Sequence, residues 1–410
     1  MPNKKIYYRR LNAMDVLGKN LISQVKLLEV LLYTYQFVGS SEFFKYCSSN
    51  LENKLKNKPL RAYFVKVIYE YLCFYPDWQK ALHQYDPRLF TQKLPFLFEL
   101  VIGVQYLHNF ILDEKLGAND IDSPKLNQYL IASNFLKEQS FIYIEQEITP
   151  LLTPSSSIDL RTIIRNLYLC VDWGQYLDKE HNHFKSWQEN SKIKTLSQDF
   201  FFDSLAEDCI KDTLTEAKKL TAGKEHFTEI YFRRIYYSNV FFFRCMVETL
   251  ACIAGLEEDV LTKNLRRFAV KYGFMLQIIN DYADFAYSDV EIERELLRTA
   301  GKKQTDFFAD LYNFNITLPL IFHLQHGHKR KIETYLEAKQ KDRTLFELYP
   351  NQIKVEIVSS GAIHECIDLS RKLSMSARAE LPKDENPMAL YLEDLCDMAF
   401  DNKFYKVFNP

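Results

Sequence analysis

Glycine and proline are scarce in this chain, with 11 Gly and 13 Pro in 410 residues. So few turn-forming residues cannot punctuate a fold of many short strands, and a mostly helical protein is expected. An excess of one charge is missing too. The formal net charge is −2, with acidic and basic residues interspersed, which argues against the broad basic face that nucleic acid requires. No apolar run is both long and uninterrupted. Val240–Gly255 is broken by Arg244 and Glu248, and Leu94–Leu112 by Glu99, Gln105 and His108, so neither is expected to span a membrane. Lys4, Lys5, Arg9 and Arg10 precede no apolar stretch of the signal-peptide kind. The eight cysteines include no CxxC pair, which fits reduced thiols, and a cytoplasmic protein is the expectation.

What the chain has in plenty is aromatic side chains, 31 Phe and 26 Tyr. Aromatics are mediocre helix formers that packing holds in place, so wide aromatic interiors are expected. Helical periodicity recurs along most of the chain. Pro59 predicts a helix start and Thr149–Ser157 (TPLLTPSSS) a break; long helices are expected over 94–114, 127–147, 158–179, 197–222 and 225–255, with others over 305–326, 359–381 and 388–404. No repeat or long linker divides the chain, so residues 1–410 are expected to form one all-α domain.

Polar residues recur inside these apolar helices. In Tyr272–Ser288, Gln277, Asn280, Asp281, Asp284 and Ser288 fall on adjoining parts of one helical face. Gln105, Asn109 and Asp113 form a second stripe at i, i+4, i+8, and Gln175 with Asp178 a third pair. A polar stripe on a wrapped helix must find partners or line a cavity. Taken singly, each reads as satisfied core amides and caps. Facing one another across a cavity, the same oxygens would suit Mg²⁺, which prefers carboxylate and carbonyl ligands and can neutralise a diphosphate leaving group. His181 and His183 lack zinc-ligand partners, and His323, His326 and His328 are expected at a helix C-terminus, where positive character suits the dipole.

The order and spacing of these elements resemble the trans-prenyl diphosphate synthase (polyprenyl synthetase) superfamily. Leu276–Asp284 (LQIINDYAD) is similar to its second aspartate-rich motif, FQxxDDxxD, and His108–Asp113 (HNFILD) to its first, HDDxxD. Gly174–Asp178 matches GQxxD, and Asn57–Ala62 resembles GKRxRP through Lys58 and Arg61. Gly301-Lys302, Asp310-Leu311 and Thr317–Leu320 follow GK…DLxxGKxTLPL, with Asn315 where a Lys is usual, and Ser359–Ile363 resembles a late helix start. The resemblance spans roughly residues 50–405 and implies the isoprenoid synthase fold, a farnesyl diphosphate synthase-like helical bundle around a central cavity. It further implies Mg²⁺ held by Asn109, Asp113, Asp178, Asn280, Asp281 and Asp284, with Asp113, Asn280 and Asp284 central to catalysis. The prenyl diphosphate would meet Lys302, Lys58, Arg61, Gln175, Gln277, Ser238 and Phe110.

The departures bear on the reaction. Two of the first motif's three aspartates are replaced, no arginine follows Asp113 before Arg161, and the family's Lys-Thr pair falls on Tyr237-Ser238 or Ser238-Asn239. These are the cations that would hold isopentenyl diphosphate, each charge-assisted contact contributing roughly 1.5–3 kcal/mol. A poor second-diphosphate site is therefore expected. Asn280, Asp284 and Ser288 also loosely resemble the N-x-x-x-S-x-x-x-E motif of class I terpene synthases. The leading expectation is a terpene synthase that ionises one prenyl diphosphate and steadies the cation on aromatic faces, Phe110, Phe241, Phe242, Phe243, Phe274 and Tyr282 being candidates. The alternatives are a chain-elongating or irregular prenyltransferase and a non-catalytic partner of an active homologue. A homodimer is expected from the resemblance, or a heterodimer in the last case.

Overall fold

The computed structural model describes residues 12–25, 51–52, 55–56, 59–112, 124–180, 203–220, 225–285, 316–325 and 350–398. Among the described residues the regular structure is helical throughout, and no helix is long and apolar enough to cross a membrane. After α1 (12–25) come α2 (Leu60–Leu72), α3 (Pro76–Leu82), α4 (Leu94–Leu112), α5 (Pro124–Tyr143) and α6 (Pro154–Glu180). Then follow α7 (Ser204–Leu220), α8 (Glu225–Ile235), α9 (Phe241–Ala254), α10 (Val260–Ala283), α11 (Leu318–Gln325), α12 (Pro350–Ser359), α13 (Ala362–Arg378) and α14 (Ala389–Met398).

Pro59 acts where expected, α2 beginning one residue after it; α6 opens four residues earlier than expected, on Pro154 inside the expected break, because a proline's missing N–H costs nothing at a helix start. The stretch read as one helix over 225–255 is two, joined by the π-helical turn Tyr236–Val240. Likewise α5 gives way at Tyr143 to the π turn Ile144–Ile148. Between α12 and α13, Gly361 sits at φ +85°, a left-handed conformation that glycine enters without Cβ strain.

The chain forms two compact units, each discontinuous in sequence. The first comprises residues 1–169, 243–266 and 381–395. In it α4 packs on α5 and α2. Pro59 offers no side-chain cap to α2, but Glu99, 1% exposed on α4, accepts the Ala62 N–H at 3.0 Å and brings negative charge to the positive end of that helix. Sequence-distant segments of this unit are joined by aromatic hydroxyls and an amide. Tyr85 donates to the Ile253 carbonyl at 3.1 Å, Tyr75 to Asp384 at 2.6 Å, and the Asn386 amide to the Tyr71 carbonyl at 3.0 Å.

The second unit comprises residues 170–242, 267–380 and 396–410. Here α8 packs on α7 and α11, and α13 on α7, α11 and α12. Its centre is aromatic: Phe232, Tyr236, Phe241 and Phe274 are buried, with ring centroids 5.5–6.1 Å apart in successive contacts. The backbone comes close at two glycines flanking the π turn. A Cβ on Gly174 of α6 would stand 2.7 Å from the Ser238 nitrogen, and one on Gly273 of α10 would stand 3.0 Å from the Val240 Cα.

Candidate functional site

The second unit gathers the GQxxD-like end of α6, the inner face of α8 and the polar stripe of α10. Thr228, Tyr231 and Ile235 are buried at helical spacing on α8, and Arg234, one turn from Tyr231, falls on the same inward stripe. An arginine that is 5% exposed must be paired. It is: the Arg234 guanidinium forms an ion pair with Asp178 through Nη1, donates from Nη2 to the Ile316 carbonyl at 3.1 Å, and lies over the Tyr231 ring at 5.3 Å. One side chain thus joins α6, α8 and the strand of chain entering α11.

On α10, Asp281 is 2% exposed. Its Oδ2 accepts the Tyr231 hydroxyl at 2.6 Å and its Oδ1 accepts the Gln277 amide at 2.7 Å, one turn back on the same helix. Burial, and then the adjacent Asp281 charge, holds the Tyr231 phenol protonated well above its usual range. The Cys366 thiol of α13 is raised in the same way, by burial first and Asp281 second. Asp284 is buried at 8% exposure, while Asn280 is exposed. Gln175 and Ser238 are buried, and the Asn239 amide donates to the Ser238 hydroxyl at 3.2 Å.

In the first unit Arg61 is half-buried, with its guanidinium 5.7 Å from the Phe243 ring centre. Asn109 and Phe110 lie in the last turns of α4. Lys58, Asp113 and Lys302 lie outside the described residues. Phe242, Phe243, Phe274 and Tyr282 are core residues, each 1% exposed or less. His323 is fully buried in the last turn of α11.

Two of the side chains expected to hold Mg²⁺ are therefore committed to protein donors: Asp178 to a guanidinium, and both oxygens of Asp281 to a phenol and an amide. Among the described residues no group of three or more His, Cys, Asp and Glu is placed to hold a metal ion. On these observations Asp178 and Asp281 do not fit as ligands of a divalent metal, and of the other expected ligands Asp113 and the Asn109 side chain lie outside the described residues. The resemblance had not singled out Tyr231 or Arg234. The signal available was a charged residue on the apolar stripe of an aromatic helix.

No protein-family model matches the sequence, and no curated protein matches it. Solved structures do. A polyprenyl synthase from Caulobacter crescentus, in complex with calcium and isoprenyl diphosphate, aligns with 97% of this chain and 97% of its own at TM-score 0.63 and 18% identity. A geranylgeranyl pyrophosphate synthetase from Pyrococcus horikoshii covers 96% and 98% at TM-score 0.62 and 14% identity. A protein from Corynebacterium glutamicum described as a geranylgeranyl pyrophosphate synthase covers 94% and 97% at TM-score 0.62 and 15% identity. The chain has the all-α isoprenoid synthase fold of these proteins.

Proposed function

We propose, from this fold and the residues above, that the chain acts on a single prenyl diphosphate as a terpene synthase built on a prenyltransferase-like scaffold. The observation that carries this reading is the disposition of cations in the second unit. The family's Lys-Thr pair corresponds to Tyr237-Ser238 or Ser238-Asn239, inside the π turn, and Ser238 is hydrogen-bonded there to Asn239. The buried cations Arg234 and Lys271 each face a carboxylate, Asp178 and Glu380. A second diphosphate would bring several negative charges to a unit in which these two buried cations, among the described residues, are already matched, and each missing charge-assisted contact costs it about 1.5–3 kcal/mol.

What the chain offers instead is polar groups in the last turn of α10 and just beyond it, Asn280 and Asp284, in a unit whose centre is aromatic. Aromatic faces stabilise a desolvated carbocation by up to ~2 kcal/mol each. Lys302, expected to grip the departing diphosphate, completes the proposed assignment. Incubation with C10, C15, C20 and C25 prenyl diphosphates, each with and without isopentenyl diphosphate, in Mg²⁺, tests the reading. Hydrocarbon or alcohol products without isopentenyl diphosphate support it. Longer diphosphates formed only in its presence would replace it with a chain-elongating prenyltransferase.

The engagement of Asp178 and Asp281 by protein donors favours one other reading, a non-catalytic subunit that keeps the fold and pairs with an active homologue. Absence of turnover on every prenyl diphosphate, together with restored or altered turnover when a catalytic homologue is added, would favour it.

A further inference from the structure

The site's two most deeply committed carboxylates run against the metal assignment that the resemblance implies. A ligand to Mg²⁺ must present an oxygen lone pair at about 2.0–2.1 Å to a cation that tolerates little departure from octahedral geometry. Asp178 presents its Oδ1 to the Arg234 guanidinium, itself 5% exposed and anchored on the Ile316 carbonyl at 3.1 Å. A divalent ion arriving at Asp178, whose side chain is 31% exposed, would meet a fixed positive charge on a guanidinium side chain that is itself 6% exposed. Asp281 accepts one donor on each oxygen, from Tyr231 at 2.6 Å and Gln277 at 2.7 Å, at 2% exposure. A metal there would have to reach a remaining lone pair of a buried carboxylate that already holds one donor on each oxygen, from two different helices.

We infer that Asp178 and Asp281 are not metal ligands in this protein: Arg234 occupies the position of a cation at Asp178, and Tyr231 with Gln277 fixes Asp281 as an internal brace between α8 and α10. Arg234 and Tyr231 are then positioning residues. They set the end of α6, the start of α11 and the last turn of α10, which carries Asn280 and leads into Asp284. The cation that the family's pattern expects to be exchangeable is here part of the chain.

The inference deepens the prenyl diphosphate reading, and the test separates the two. The full chain is titrated with Mn²⁺ in the presence of inorganic pyrophosphate, with bound ion counted by electron paramagnetic resonance and folding checked by circular dichroism. Asp178→Asn and Asp281→Asn are expected to change Mn²⁺ affinity less than about threefold. Arg234→Gln, which uncovers Asp178, is expected to gain about one further Mn²⁺ per chain, a gain abolished in Asp178→Asn/Arg234→Gln and absent from Arg234→Lys. A merely structural role for Arg234 would produce no such gain. A tenfold loss of Mn²⁺ affinity in folded Asp178→Asn or Asp281→Asn overturns the inference, as does an unchanged Mn²⁺ count in folded Arg234→Gln. If Arg234→Gln does not fold, the two aspartate variants decide alone. A wild type that takes up no Mn²⁺ with pyrophosphate counts against the prenyl diphosphate reading, while the gain or its absence in Arg234→Gln still decides the inference.

Discussion

Replacing Gly174 by alanine puts a methyl group where α6 touches the π turn. The added Cβ would lie 2.7 Å from the Ser238 nitrogen, 3.0 Å from the Ser238 Cα and 3.0 Å from the Tyr237 Cβ. Two of these are main-chain atoms and the third is fixed to the main chain, so no side-chain rotation relieves the contact and the helix or the turn must move. Overpacking of this kind costs about 1–3 kcal/mol. Alanine returns up to ~1 kcal/mol of helix propensity over glycine, which leaves a net loss of up to about 2 kcal/mol. Gly103 of α4 supplies the control, because the nearest atom to its added Cβ is Leu51 Cδ1 at 3.5 Å, an ordinary contact. There the propensity gain stands alone, and Gly103→Ala should stabilise by up to ~1 kcal/mol. Urea unfolding followed by circular dichroism measures both, at equal m value. The two variants should move the midpoint in opposite directions. A Gly174→Ala protein as stable as wild type would show that the π turn yields freely and that the close approach places nothing.

Other consequences follow from the buried polar groups. Tyr231→Phe withdraws one donor from a carboxylate that is 2% exposed and should cost about 1–3 kcal/mol in urea unfolding; no loss would mean that water replaces the hydroxyl. Glu99→Ala leaves the Ala62 N–H and the first turn of α2 without their acceptor, for an expected loss of about 1–2 kcal/mol in the same measurement. Burial, ahead of neighbouring carboxylates, raises the Cys245 and Cys366 thiols and the Tyr231 phenol in the folded state. The unfolded chain releases those protons first, near pH ~8.5 for cysteine and ~10 for tyrosine, so their contribution is complete below these values and lost as pH rises through them. Unfolding midpoints at pH 7, 8.5 and 10 should therefore fall in that order, and a midpoint that rises would contradict the assignment. Burial, with Asp159 and Glu257 adding to it, pushes the Cys252 thiol up to about 12. Iodoacetamide at pH 8 should label it far more slowly than an unstructured cysteine, read by mass spectrometry of its peptide.

The helices were legible because their evidence is local. Pro59 and the apolar periodicity of 94–112 each act within a few residues, and the structure places α2 and α4 accordingly. The placement of Gln277 and Asp281 on one face of α10 was equally local, since four residues make one helical turn. The π turn at Tyr236–Val240 was not legible. One extra residue in a turn leaves no mark on composition, and its cost is met by packing against Gly174 and Gly273 from other helices.

By itself, then, the sequence determined the helical class and which side chains share a helix face, because backbone geometry converts spacing into direction without reference to the rest of the chain. Only the tertiary structure decided what those side chains meet. Asp178 could have faced a metal, a solvent channel or a cation, and it meets Arg234, 56 residues away; Asp281 meets Tyr231, 50 residues away. Such pairs arise when helices dock, and the low dielectric of the buried site then makes the choice of partner decisive for what the carboxylate can do.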